Sequence, residues 1–281
     1  GLNRYPDPLQ TSLKTEIAAL RKVDTDRIFI GNGSDEIIDL LFRAFCEPGK
    51  SKVYIFPPTY GMYKVSAAIN NTEIVEIPLT EKFELPSFEV IQTKVNAPGL
   101  LFICSPNNPT GNSTSMEEIN KIALNFNGIV VVDEAYHAFS GQSFLDQAPA
   151  YDNVVVMRTL SKLGLAGLRL GFLSGHPDVI ETLNKVRLPY NINSMTQVSV
   201  EFALRHIDWF DEKSRLICEA RATLFESLKK ISGITAYPSA ANFILFRVPA
   251  GAGDSVHADL QHQGVLVKNL NGAHPLLTDS L

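Results

Sequence analysis

Short runs rich in Val and Ile recur along this 281-residue chain, and between them lie stretches in which apolar residues return every three or four positions. Runs of the first kind have the length of buried strands. The second kind carry the 3.6-residue period of helices that turn one face to a core. This pattern predicts strands at 28–30, 53–56, 73–77, 100–104, 129–133, 154–157 and 170–174. It predicts helices near 10–21, 37–45, 87–94, 115–126 and 177–187, with a further one ending about residue 69. The run at 129–132 is apolar at consecutive positions, as in a strand covered on both faces. The repeated alternation of strand and helix predicts an α/β fold: a mostly parallel sheet flanked by helices and joined by right-handed crossovers. A long helical region at 194–230 follows, then strand-like 236–237 and 241–247, a helix near 254–263 and a strand at 265–267. We place the domain change within the long helical region. The expected division is a large α/β domain at 1–210, including a proline-rich connector arm at 1–10, and a smaller C-terminal α+β domain at 211–281.

Composition narrows the class. Hydrophobic residues make up 45% of the chain, enough for a sizeable core. The net charge of −5 comes without long like-charge runs, which argues against nucleic acid or an anionic membrane as partner. No apolar stretch approaches the roughly 20 residues needed to span a bilayer, and no leader pattern opens the chain, so a cytoplasmic location is expected. Cys46, Cys104 and Cys218 are scattered and lack metal-ligand spacing, which suits reduced thiols. The chain begins without Met and stops after Leu281 in what reads as the approach to another strand; it reads as a fragment.

Three stretches carry candidate chemistry. In the first, residues 159–171, Lys162 stands between the hydroxyls of Thr159 and Ser161 and the guanidinium of Arg169, with glycines around it. A partly desolvated lysine attacks carbonyls, and the hydroxyls and the arginine suit a phosphate. A solvated surface lysine is the bland alternative. In the second, the run at 129–132 ends on Asp133, with Tyr136 three residues on. The carboxyl end of such a strand is where open α/β sheets bind ligands, although an aspartate there also suits a helix N-cap. The third, Ser-Pro-Asn-Asn-Pro-Thr-Gly at 105–111, follows a strand and presents two amides, or is a plain turn. Gly33, Ser34 and Asp35 open a helix, where N–H groups can face an anion or where Ser34 or Asp35 can simply cap it. Tyr60, after two prolines, suits either stacking on a ligand or core packing.

In this order and at these separations, the stretches resemble the fold-type I pyridoxal-phosphate aminotransferases across nearly the whole chain. The resemblance implies pyridoxal 5'-phosphate as cofactor, held by Lys162 as a Schiff base, with Asp133 on the pyridine nitrogen. Asn108 and Tyr136 would hydrogen-bond the ring hydroxyl, and Tyr60 would lie on the ring face. Thr159, Ser161, Arg169, Gly33, Ser34 and Asp35 would surround the phosphate. Arg169 follows Lys162 by one residue fewer than in many members. The tyrosine of Asn-Arg-Tyr-Pro, here Tyr5, would reach the cofactor of a partner subunit, which implies a homodimer.

Within that family, Asn-Arg-Tyr-Pro-Asp-Pro at 3–8, Pro-Pro-Thr-Tyr-Gly-Met-Tyr at 57–63, the 105–111 loop and Leu-Ala-Gly-Leu-Arg at 165–169 look most like the histidinol-phosphate aminotransferase group. That implies transfer of an amino group between histidinol phosphate and 2-oxoglutarate in histidine biosynthesis. Lys268 would be a substrate ligand where arginine is commoner; a solvated strand-end lysine is the alternative. A related enzyme of the aromatic aminotransferase or threonine-phosphate decarboxylase type would share the cofactor residues. A non-catalytic cofactor-binding domain is the reading from another class, against which every chemical position is filled.

Overall fold

The computed structural model describes residues 2–281. Its central sheet has seven strands: β1 (Ile28–Gly31), β2 (Lys52–Ile55), β3 (Glu73–Glu76), β4 (Gly99–Cys104), β5 (Ile129–Asp133), β6 (Val154–Thr159) and β7 (Gly171–Ser174). They lie in the order β1-β7-β6-β5-β4-β2-β3. Strands β2 to β6 pair in parallel, while β7 is antiparallel to both β6 and β1. The loop between β6 and β7 holds only two 3-10 turns, Ser161–Leu163 and Ala166–Leu168. A parallel return needs a full crossover, so this short connection brings the chain back antiparallel.

Helices cover both faces, as the consecutive apolar strand positions predict. On one face α2 (Ser34–Phe45), α3 (Met62–Ile69) and α6 (Pro177–Val186) pack against Val53, Phe102, Val131 and Met157. On the other, α4 (Phe88–Lys94) and α5 (Met116–Asn125) cover Tyr54, Leu101, Val132 and Val156. A third apolar cluster joins α1 (Thr11–Arg21) and α7 (Ser194–Arg205) to Ile28, Ile30 and Phe172. Helix α2 starts at Ser34, earlier than its apolar period, because Asp35 and Glu36 occupy a first turn where the helix dipole favours anions. No helix among the described residues is long and apolar enough to cross a membrane.

Beyond the sheet, α8 (Ile207–Leu228) runs through residue 210 and leads to a two-stranded ribbon of β8 (Thr235–Ala236) and β9 (Phe246–Arg247), then α9 (Gly253–His262). Two expectations fail here. Residues 265–267 form no strand: Val265 N–H closes onto Leu260 O at 2.8 Å and Val267 O meets His257 Nε2 at 3.2 Å, so the segment folds back on α9. The strand expected at 241–247 shrinks to its last two residues, because the chain before it is tied elsewhere: Ala240 N–H donates to Gly111 O at 2.7 Å.

Parallel strands end together. Loops leaving β2, β4, β5 and β6 therefore share one sheet edge with the start of α2, since β1 runs in the same direction. Gly171 opens β7 at that edge, and a Cβ on it would lie 2.8 Å from Ser34 N and 2.9 Å from Gly33 C. Both contacts are backbone, so neither yields cheaply. Gly171→Ala is expected to lower stability by about 1–3 kcal/mol, the usual range for overpacking, as measured by denaturant unfolding.

Candidate active site

The loop after β5 supplies the most constrained group. Asp133 is buried at the strand's end; Tyr63 Oη donates to its Oδ2 at 2.6 Å and Ala135 N–H to its Oδ1 at 3.0 Å. Burial pushes its carboxyl up to about 6, against the lowering pull of these two donors; Asp35 adds to the rise and Lys162 opposes it. Asp133 is thus a carboxylate short of positive charge. Burial and the neighbouring anion in turn hold the Tyr63 phenol well above the usual range.

Three residues on, Tyr136 is nearly buried, and Lys162 Nζ lies 5.2 Å from the centre of its ring. Its phenol is pushed up to about 12, first by burial and then by Cys104 and Asp133. Lys162 itself sits in the 3-10 turn directly after β6, half-buried. Among the described residues neither Lys162 Nζ nor Tyr136 Oη makes a hydrogen bond, so both polar ends are free for a ligand. Beside them Ser161 N–H donates to Thr159 Oγ1 at 3.1 Å, and the two hydroxyl oxygens are 2.9 Å apart.

The 105–111 loop divides its two amides. Buried Asn107 is structural: its Nδ2 donates to Pro58 O at 2.9 Å and its Oδ1 accepts from Thr59 Oγ1 at 2.7 Å, which ties the loops after β2 and β4 together. Asn108 is left to line a cavity of about 650 Å³ together with Tyr136, Phe243 and Lys268. The exposed Lys268 thus reaches the same space as two of the expected ring contacts, without a strand to carry it there.

A polar cluster lies where α2 begins. Arg169, in a left-handed conformation at φ 48°, places Nη2 3.5 Å from Asp35 Oδ2, and Asp35 Oδ1 accepts from Tyr60 Oη at 2.9 Å. Gly33 has φ +83°, and a Cβ there would stand 2.6 Å from Arg169 Nη2. Only glycine lets the guanidinium lie over the open first turn of the helix. The shorter spacing from Lys162 therefore still brings Arg169 to Gly33, Ser34 and Asp35. Tyr60 meets Tyr63 edge-on at 5.6 Å, and burial together with Asp35 holds its phenol well above the usual range.

All the expected site residues but Tyr5 and Lys268 lie along this edge, and Lys268 lines the cavity that it shares with Asn108 and Tyr136. Tyr5 does not join them within its own chain: it is 79% exposed and stacks on Tyr190 at 4.5 Å. Sequence reasoning passed over Tyr63, although its spacing from Tyr60 puts both phenols on one side of the α3 entry. All three cysteines are free thiols; Cys104 is buried, and burial together with the neighbouring Asp133 holds its thiol well above the usual range.

The Asp133 carboxyl has a signed consequence. Its folded value, about 6, lies above the unfolded 3.8, so its proton linkage favours the fold fully below pH 3.8 and is lost as pH rises through about 6. Without added ligand, Asp133→Asn is expected to flatten the stability-versus-pH curve between about pH 4 and 7 relative to the parent, measured by thermal unfolding across that range.

Comparison with known proteins bears on this geometry. The family model "Aminotransferase class I and II" matches residues 1–275. Histidinol-phosphate aminotransferase 2 of Nitrosococcus oceani is 48% identical, over 100% of this chain and 78% of its own. The crystal structure of the histidinol-phosphate aminotransferase from Clostridium acetobutylicum superposes with a TM-score of 0.89 at 26% identity, covering 99% of this chain and 84% of that one. The enzyme of that name from Sinorhizobium meliloti, solved in complex with pyridoxal-5'-phosphate, shares the fold at a TM-score of 0.86 and 23% identity, over 95% of this chain and 75% of that one. With strand ends, buried carboxylate and loop lysine arranged as described, and with the match running from residue 1 to 275, the chain belongs to the class I and II aminotransferases.

Proposed function

We propose that this chain transfers an amino group between histidinol phosphate and 2-oxoglutarate, using pyridoxal 5'-phosphate bound at Lys162. The observation that carries the reading is Asp133: a sealed carboxylate lacking a cationic partner, one strand away from a free lysine amine. A protonated ring nitrogen would supply the missing charge and hydrogen-bond donor, so the residues present fit the cofactor. Its phosphate suits Arg169, Thr159, Ser161 and the N–H groups opening α2 at Ser34. Asn108 and Tyr136, which line the cavity, suit the ring hydroxyl.

When bound, the cofactor supplies an electron sink for a carbanion beside its ring. The chain's own residues do the rest. Asp133 would stay ionised against a positively charged ring nitrogen and would hold it protonated. Lys162 Nζ would hold the cofactor covalently, and as a free amine it would be the base that takes and returns the α-proton of the substrate. Tyr136, nearly buried beneath that amine, screens it from bulk water.

The names of the similar proteins support histidinol phosphate as amino donor, and Lys268 at the cavity wall offers a cation for substrate phosphate or carboxylate. Such an enzyme would work in the cytoplasm. A homodimer is supported by the arm, α7 and the segment before α7, which expose Leu2, Tyr5, Leu188, Met195, Val198 and Phe202. Exposed apolar side chains of that kind mark an interface, and there Tyr5 would reach a partner's cofactor.

The test is the visible absorption of the cofactor-loaded protein. Histidinol phosphate without any keto acid should convert the Schiff-base band to the amine form of the cofactor, and phosphothreonine should not. A band that histidinol phosphate leaves unchanged would count against this substrate. Lys162→Ala is expected to lose the band and to lower turnover on the order of 10²–10⁴-fold.

A further inference from the structure

Directly after Asp133 the chain carries a second buried carboxylate that the chemistry above does not use. Glu134 and Arg158 are 2% and 4% exposed, and Arg158 Nε and Nη2 both lie 2.9 Å from Glu134 Oε2. Ser143 Oγ donates to the same oxygen at 2.9 Å, Phe144 N–H donates to Oε1, and Arg158 Nη2 also donates to Ser143 Oγ. The pair sits one step beyond Asp133↔Met157 in the β5–β6 ladder, where Glu134 N–H donates to Met157 O at 2.8 Å. Side chains alternate along a strand, so the pair projects to the face lined by Val132, Val156 and Phe144, opposite Asp133. The half-buried His137, whose ring Nδ1 is sealed from water, lies near; burial and the Arg158 and Arg21 charges hold it well below the usual histidine range, so it adds no further charge.

An apolar pair of the same volume would commonly be as stable as a buried ion pair, because desolvation cancels most of the attraction. What an apolar pair lacks is direction. The Arg158 fork, the Ser143 hydroxyl and the Phe144 amide fix the Glu134 carboxylate against three segments at once. These are the end of β5, which carries Asp133 and leads to Tyr136; the end of β6, which leads to Thr159, Ser161 and Lys162; and the return at 143–144, which closes the loop bearing Tyr136. We infer that Glu134, Arg158 and Ser143 are positioning residues that set the two strand ends, and so hold Asp133 and Tyr136 at a fixed separation from Lys162. The inference rests on the cofactor reading above.

Arg158→Lys keeps the charge and removes the fork. Compared with the parent after loading with pyridoxal 5'-phosphate, this variant is expected to bind the cofactor about tenfold more weakly, as loosened positioning would produce. It should also lose visible ellipticity per bound cofactor, because the ring is held in less fixed orientation, while the thermal midpoint without cofactor stays near that of the parent. Ser143→Ala should move both cofactor readouts in the same direction by less, and it decides the matter if Arg158→Lys does not fold. Parent affinity and full ellipticity in the folded variants would overturn the inference. So would losses that vanish at lower temperature in step with the recovery of fold, since those would mark a merely structural pair. A parent that shows no Schiff-base band would instead overturn the cofactor reading, and this inference with it.

Discussion

A carboxylate sealed from water at the end of a central strand has to be compensated, and that requirement organises the functional edge of this protein. Asp133 is placed there by a strand whose other positions are all apolar, so the strand brings no charge of its own to meet it. Two neutral donors, the Tyr63 hydroxyl and the Ala135 amide, lower the cost of burial but do not cancel it. The site keeps an electrostatic demand that a cationic ligand can satisfy, next to the lysine amine that would hold that ligand covalently.

The opposite end of the site is built on the complementary economy of charge. Arg169 and the open first turn of α2 form a positive corner, and Asp35 occupies part of it at 3.5 Å. Both partners of that contact are substantially exposed, so the attraction is weak and screened. An incoming phosphate therefore competes with little. Gly33 and Gly171 make this corner possible, because side chains at either position would meet the guanidinium or the backbone of the turn. The two ends are held apart by the β-ladder, and the buried Glu134–Arg158 contact locks the part of that ladder nearest to them.

Much of this was legible in the order of residues. The apolar runs and helical periods placed the seven strands of the sheet and the helices around it to within a few residues, because both signals are local: each depends on residues close enough in sequence to share one face. The placement of Gly33, Ser34, Asp35, Tyr60, Asn108, Asp133, Tyr136, Thr159, Ser161, Lys162 and Arg169 at this edge was also readable, since each lies at the end of a strand, in a loop joining strands or at the start of a helix. Parallel strands deliver such ends to one edge whatever the loops contain.

The tertiary structure alone decided the rest. Tyr63 reaches Asp133 across 70 positions of sequence and Arg158 reaches Glu134 across 24, separations at which no periodicity speaks. Asn107 and Asn108 are alike as residues, and only the packing of the β2 loop assigns one to the scaffold and the other to the cavity. Residues 265–267 have strand composition but fold back on α9, because strand formation needs a neighbour to share hydrogen bonds and composition supplies none. By itself the sequence determined the elements and the chemical groups at their ends; only three-dimensional packing decided which of those groups meet, and hence what charge, burial and freedom each one has.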